Sequence, residues 1–370
     1  MPLRIHNFYA GPTALPAPVL QQIQRELCNF QGTGMSVMEI SHRAPEIEFL
    51  LADTIERTRR LLGLTDDFAV LLLQGGGSLQ FGMIPMNLSV PGDPVDYLDT
   101  GYWAQKSIRE ARVMGRDVAV ITSSADKDYT YVPPSECIRP RPEARYLHLV
   151  TNNTVEGTQF HQLPRTGVPL VADMSSDLMS DSFDPASYDI AYAHAQKNIG
   201  IAGVTLVILR RSLLSTIPVN VPAILDYRTH IEHNSNYHTP PSFAIYVTWL
   251  MLGWLEQEIG GLAAMGMINR QKAGLLYGYL DSTHFYHCPV EPASRSLMNV
   301  VFTLPSPDLL QEFLKQASRG GIVGLAGHRH VGGCRASLFN GVTLEAVEHL
   351  VGFMQSFEYQ HQATLSRINA

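Results

Sequence analysis

Apolar and polar positions along this chain fall into two alternating textures. From Pro45 onward, Ile47, Leu51, Ile55, Thr58 and Leu62 recur at helical spacing, with Glu46, Glu48, Asp53, Glu56, Arg57, Arg59 and Arg60 on the remaining surface. That spacing predicts an amphipathic helix. It leads into residues 68–73, a continuous apolar run of strand length that stops at Gln74-Gly75-Gly76-Gly77-Ser78. Runs without polar alternation suit a parallel sheet covered on both faces. Six more such runs follow at 95–98, 118–121, 146–150, 170–172, 190–193 and 204–209. Seven strands in one mostly parallel sheet, an α/β fold, is the economical expectation.

After residue 209 the texture changes. A polar stretch over 227–237 gives way to Thr239-Pro240-Pro241-Ser242 and then to an apolar run over 243–255. This run is too short for a bilayer, which demands ~20 residues, so it reads as a buried helix with proline at its start. Gly260-Gly261 marks a boundary. Beyond it the pattern predicts a helix over 262–280, a strand over 297–302, a helix over 307–316 and a last helix with Leu344, Val347, Val351, Met354 and Phe357 on one face. The expectation is a large domain over 16–258 and a small C-terminal α+β domain over 259–370 together with 1–15.

Composition narrows the function classes. Of 370 residues 45% are hydrophobic and 16% charged, and 29 glycines with 23 prolines lie well below the level of low-complexity disorder. With 27 basic and 34 acidic residues the net charge is −7, so no field gathers nucleic acid or an anionic membrane, and an anionic ligand must be caught locally. Cys28, Cys137, Cys288 and Cys334 are widely spaced without a CxxC pair, which argues for reduced thiols in a cytoplasmic protein and against a metal site. Residues 1–12 hold Arg4 and His6 but no apolar stretch of signal-peptide length, so secretion is not expected.

Three features carry chemistry. Gly75-Gly76-Gly77-Ser78 directly follows a buried strand, where backbone N–H groups and the start of a helix near Ser78 suit a phosphate. Taken alone, it suits a flexible turn equally well. Asp173 stands at the carboxyl end of the 170–172 run, where ligands of open α/β sheets bind, although a lone aspartate there is often a helix cap. Lys197, in Ala195-Gln196-Lys197-Asn198-Ile199-Gly200, lies in a short connection between two apolar strands, where desolvation makes an amine nucleophilic. Together they supply what pyridoxal phosphate needs: a phosphate cradle, a carboxylate for the ring nitrogen and a lysine for the Schiff base. Trp103 follows another strand end and suits either ring stacking or core packing. Ser41-His42-Arg43 and Gly327-His328-Arg329-His330 through Arg335 are candidate anion sites, since guanidinium forks grip carboxylate and phosphate at two points.

Across nearly the whole chain these motifs resemble the phosphoserine aminotransferase family, pyridoxal-phosphate transferases of fold type I. The resemblance rests on Asn7-Phe8-Tyr9-Ala10-Gly11-Pro12, Met38-Glu39-Ile40-Ser41-His42-Arg43, the Gly75–Ser78 turn, Ala195 to Gly200, Asn236-Tyr237-His238-Thr239-Pro240-Pro241 and Gly327-His328-Arg329 through Arg335-Ala336-Ser337. It implies Lys197 as the Schiff-base lysine, Asp173 at the pyridinium nitrogen, Gly77, Ser78 and Gln196 at the cofactor phosphate, Trp103 on the ring and Thr154 at its phenolic oxygen. It also implies a homodimer with shared active sites, Thr239 and its neighbour His238 reaching the other subunit's cofactor. His42, Arg43, His328 and Arg329 would hold the substrate phosphate and Arg335 the α-carboxylate. Ser78 and His238 depart from the family pattern, where arginine and asparagine are common.

The reaction so implied moves the amino group of L-glutamate to 3-phosphohydroxypyruvate, giving O-phospho-L-serine and 2-oxoglutarate. The related keto acid of pyridoxine synthesis is a second substrate to consider. The rival expectations are an alanine–glyoxylate or serine–pyruvate aminotransferase, which has less need of His-Arg pairs, and a non-catalytic binding protein on the same scaffold.

Overall fold

The computed structural model describes residues 5–368, with side chains up to residue 361, so Arg4 and the chain's extreme ends lie outside it. The seven apolar runs form β1 (Phe68–Leu73), β2 (Pro94–Asp99), β3 (Asp117–Ser123), β4 (Leu147–Val150), β5 (Leu170–Asp173), β6 (Ile190–His194) and β7 (Thr205–Arg210). They pair in the order β1-β7-β6-β5-β4-β2-β3. All are parallel except β7, which runs antiparallel to both neighbours.

The lack of polar alternation follows from two-sided burial. Phe68, Val70 and Leu72 enter one apolar cluster, whereas Ala69, Leu71 and Leu73 enter another on the opposite face. β3, at the far edge, is only partly covered and carries the most polar residues of the seven.

Helices cover the faces: α1 (Ala17–Glu26), α2 (Pro45–Leu62), α3 (Gly76–Leu88), α4 (Tyr102–Val113), α5 (Tyr227–Glu232) and α6 (Ser242–Trp254). Helix α2 buries Ile47, Leu50, Leu51, Thr54, Thr58 and Leu62, close to the expected stripe, and stops at left-handed Gly63. It packs on α6, where Asp53 accepts a 2.6 Å hydrogen bond from Trp249 Nε1 and the Arg57 guanidinium lies 4.6 Å from the indole centre. The 227–237 stretch is less open than its composition suggests: Tyr227 is fully buried, with its hydroxyl 2.7 Å from Gln80.

Beyond Gly261 come α7 (Leu262–Ser282), α8 (Pro307–Arg319) and α9 (Leu344–Ile368). They share a separate apolar cluster with Phe302 and with Phe8 from the N-terminal segment. Strand Asn299–Phe302 pairs antiparallel with Cys334–Ser337. It starts two residues later than expected because the Leu297 N–H is taken by the Gln159 side chain and those of Met298 and Asn299 by Ser296 Oγ. Among the described residues no helix is long and apolar enough to cross a membrane.

Candidate active site

Parallel pairing brings the carboxyl ends of β1, β2, β4, β5 and β6 to one edge of the sheet. A cleft opens there, lined by Gly77, Ser78, Trp103, Asp173, Gln196 and Lys197. A larger open groove runs past Arg165, Asp181 and Phe183, and none of the expected site residues lines it.

The glycine turn follows β1. Gly75 and Gly76 take φ of +87° and +68°, which glycine adopts without strain. A Cβ on Gly77 would stand 3.1 Å from Ser175 Oγ and 3.9 Å from Asp173 Oδ2, so the bare backbone is what keeps the cleft open. Helix α3 begins at Gly76, two residues earlier than expected, and no side chain caps its first turn. Those N–H groups and the helix dipole make a cradle for an anion.

Asp173 ends β5 and is buried, with Oδ1 accepting the Ser175 N–H at 3.0 Å. Burial pushes its carboxyl above the usual range, while Lys197, Ser175 and Tyr192 pull it back. Behind it the Tyr192 hydroxyl meets His148 Nε2 at 2.9 Å. Lys197 leaves the end of β6 with Nζ 6.0 Å from the centre of the Trp103 ring. Burial pushes its amine down to about 8; Asp173 opposes the shift and Arg335 adds to it. An amine so placed is partly neutral near physiological pH, as a nucleophile and base requires.

The lysine loop is held from both sides. Thr13 Oγ1 donates to Lys197 O at 2.8 Å, and Asn198 Nδ2 donates to Ser176 O at 2.8 Å. Trp103 Nε1 donates to Thr154 Oγ1 at 3.0 Å, which leaves the threonine O–H free to donate in turn. Arg335 Nη1 donates to Thr154 O at 2.8 Å, and its Nε is buried without a partner.

The remaining candidates fall into two groups outside the cleft lining. His328 lies with its ring 5.0 Å from Tyr102 and 5.1 Å from His330, beside exposed Arg329. Burial, Arg335, His330 and Arg329 all push His328 below its ordinary value. The other group is tied to Gln74, whose Nε2 donates to Thr239 O at 3.1 Å. There His42 Nδ1 is 3.4 Å from Thr239 Oγ1, Arg43 is exposed, and His238 Nδ1 is buried without a partner. Neither His42, Arg43, His238 nor Thr239 lines the cleft of this chain.

Sequence reasoning missed Ser175 and His194, which line the cleft. Their signal was proximity, two residues after Asp173 and three before Lys197. Thr13 and Glu156 carried no local signal, because each acts on a partner distant in sequence. The donor set fits pyridoxal phosphate: an uncapped helix start with a bare Gly77 backbone, a buried carboxylate and a desolvated amine converge on one cleft.

The comparisons with known proteins agree. Residues 5–350 match the aminotransferase class-V family. The phosphoserine aminotransferase of Syntrophobacter fumaroxidans is 52% identical over 96% of this chain and 99% of its own. The solved phosphoserine aminotransferase from Bacillus circulans subsp. alkalophilus superposes with a TM-score of 0.94 at 46% identity, covering 97% of this chain and 99% of that one. The PLP-bound phosphoserine aminotransferase from Trichomonas vaginalis does so with 0.91 at 35% identity, over 95% and 100%. With a family match along most of its length and a relative more than half identical, this chain belongs to the class V aminotransferases.

Proposed function

We propose that the protein is a pyridoxal-phosphate-dependent phosphoserine aminotransferase, moving the amino group of L-glutamate to 3-phosphohydroxypyruvate. The observation that carries the reading is the convergence of Lys197, Asp173 and the Gly77 turn on one cleft. Near-full-length identity to phosphoserine aminotransferases supports the substrate pair.

Lys197 would hold the cofactor's aldehyde carbon, Asp173 its ring nitrogen, and Gly77, Ser78 and Gln196 its phosphate. Trp103 would cover the ring and Thr154 donate to the phenolic oxygen. Bound there, the cofactor supplies a sink for the electron pair left at the substrate's α-carbon.

This chain's residues do the rest. Lys197 Nζ, once free, would take the α-carbon proton and deliver it to the carbon that had been the cofactor's aldehyde, a role its lowered proton affinity suits. Burial raises the proton affinity of Asp173, whereas Lys197, Ser175 and Tyr192 oppose that rise, and the Asp173 carboxylate would hold positive charge opposite it. Arg335 offers Nε and Nη2 to a carboxylate while Nη1 stays on Thr154. His328 and Arg329 meet the substrate's phosphate or distal carboxylate. An arriving dianion favours the imidazolium form of His328 and so reinforces its own capture.

His42, Arg43, His238 and Thr239 stand away from their own cleft, and exposed Met35, Met38 and Tyr237 occur in the same segments. We assign them to a homodimer in which they complete the partner's site. Four free cysteines suit the cytoplasm. The separate apolar cluster of 259–370 with Phe8 supports the division into domains at 16–258 and 259–370 with 1–15.

A coupled assay of glutamate-dependent amination, run with 3-phosphohydroxypyruvate and its dephosphorylated counterpart, tests this. The phosphorylated acid should be strongly preferred; equal use would refute the substrate assignment.

A further inference from the structure

We infer that Glu156 is a positioning residue for substrate: it faces Arg335 from beneath the helix that carries Trp103, and takes up a proton from the medium on Oε2 when a carboxylate docks on Arg335. The inference deepens the proposed reading of Arg335 and rests on it.

Glu156 lies in the turn joining Asn152–Asn153 to Thr158–Gln159 and is 8% exposed. Its Oε1 accepts the Tyr102 N–H at 2.8 Å, at the very start of α4. A Cβ on Gly101 would stand 2.6 Å from the carboxyl carbon, so only glycine lets the helix end close over this group. The same turn holds both neighbours of the reaction. Thr154 Oγ1 receives Trp103, and Thr154 O receives Arg335.

Three buried polar atoms around this turn have no partner: Glu156 Oε2, Arg335 Nε and Asp99 Oδ1. No hydrogen bond joins Glu156 to Arg335 among the described residues, so the two act through space. The groups facing Glu156 are Arg335 from strand Cys334–Ser337, Asp99 from the end of β2, the Tyr102 N–H from α4 and the Tyr129 hydroxyl, which is 3.1 Å from Asp99 Oδ2.

Burial pushes the Glu156 carboxyl up to about 7, with Asp99 adding to the shift and the Tyr102 N–H and Arg335 opposing it. Arg335 is therefore one of the supports of the ionised form. A ligand carboxylate on Arg335 cancels that support, and Glu156 gains a proton. By linkage the converse holds: ligand carboxylate binds better once Glu156 is neutral, so affinity falls as pH rises through about 7.

The experiment uses the holoenzyme and glutarate, a dicarboxylate without an amine. In the wild type, the glutarate Kd should rise about fivefold from pH 6 to pH 8, the part of a one-unit coupling expressed over that range. Glu156→Gln should flatten that slope and Glu156→Asp restore part of it. The infrared difference spectrum of wild type with and without ¹³C-glutarate at pH 7.5 should gain an unlabelled protonated-carboxyl band that Glu156→Gln lacks. An unchanged pH slope in Glu156→Gln overturns the inference. So does absence of the carboxyl band in wild type, a result that stands even if the variant does not fold. Arg335→Lys separates the two levels. If it binds glutarate as wild type does, the reading of Arg335 fails and the coupling with it; if binding is lost while Glu156→Gln keeps the wild-type slope, only the coupling fails.

Discussion

Replacing Gly77 by alanine should separate folding from cofactor capture. Unlike Gly75 and Gly76, Gly77 lies in the helical region within α3, so alanine suits its backbone and is worth ~0.5–1 kcal/mol in helix preference. Against this, the new methyl would sit 3.1 Å from Ser175 Oγ, a contact that a turn of the serine side chain relieves. The two effects nearly cancel, and the apoprotein's unfolding free energy should change by less than ~1 kcal/mol. The methyl also stands where the first N–H groups of α3 meet an anion. Losing one charge-assisted hydrogen bond costs ~1.5–3 kcal/mol, or roughly ten- to hundredfold in Kd. Pyridoxal phosphate titrated into apoprotein, followed by its visible absorption, gives that Kd; denaturant unfolding gives the stability. Gly75→Ala is the contrast, because φ of +87° strains the backbone and the new methyl collides with the Leu79 side chain, so it should lower stability first. An unchanged cofactor Kd in Gly77→Ala would refute the cradle.

Three further outcomes are expected. Arg329→Ala should raise KM for 3-phosphohydroxypyruvate at least ~tenfold while barely altering that for the unphosphorylated keto acid, in steady-state assays; equal losses would remove the phosphate assignment. Asp173→Asn should slow the glutamate half-reaction by ~10² or more in stopped-flow, with KM for glutamate little changed, because it removes charge needed only as the reaction proceeds. Lys272→Met should cost ~3 kcal/mol or more in denaturant unfolding, since Nζ donates to the carbonyls of Leu338, Phe339 and Val342 at 2.7–3.0 Å, all of which lose their partner. Burial pushes this amine down to about 7 from 10.5, so between those values the unfolded chain binds the extra proton and stability rises with pH; Lys272→Met should remove that rise.

The sheet was legible because burial on both faces leaves no polar alternation in β1 or β7, and strand length alone then separates these runs from helices. The cleft was legible for a related reason. Parallel strands carry their chemistry at their carboxyl ends, so Gly77, Asp173 and Lys197, each just past an apolar run, could be grouped before any contact was known. What stayed hidden depends on approach between distant segments. Thr13 secures the carbonyl of Lys197 across 184 positions, and Glu156 closes on Gly101 across a turn that its own neighbours do not announce. Helix α1 starts at Ala17, after Pro16, without a side-chain cap, and Lys272 looks like any surface lysine on a helix. Tyr227 was lost in a polar stretch because the side chains that pair its hydroxyl and its N–H, Gln80 and Asn87, both lie on distant α3.

A chain of net charge −7 holds a site for dianions because charge acts over about 8 Å in physiological salt, well short of the molecule's width. What counts is which charges stand near the reacting groups. Asp173 and Lys197 line the cleft, and on the proposed function Arg335, His328 and Arg329 would meet a substrate's anionic groups while its reacting carbon meets the amine. The same arrangement sets each proton affinity: Arg335 lowers that of Lys197 and of His328, and Asp173 raises that of Lys197. An anion bound on Arg335 would therefore raise the proton affinity of Lys197 and His328 together, so that the groups proposed to recognise the substrate would also adjust the proposed base.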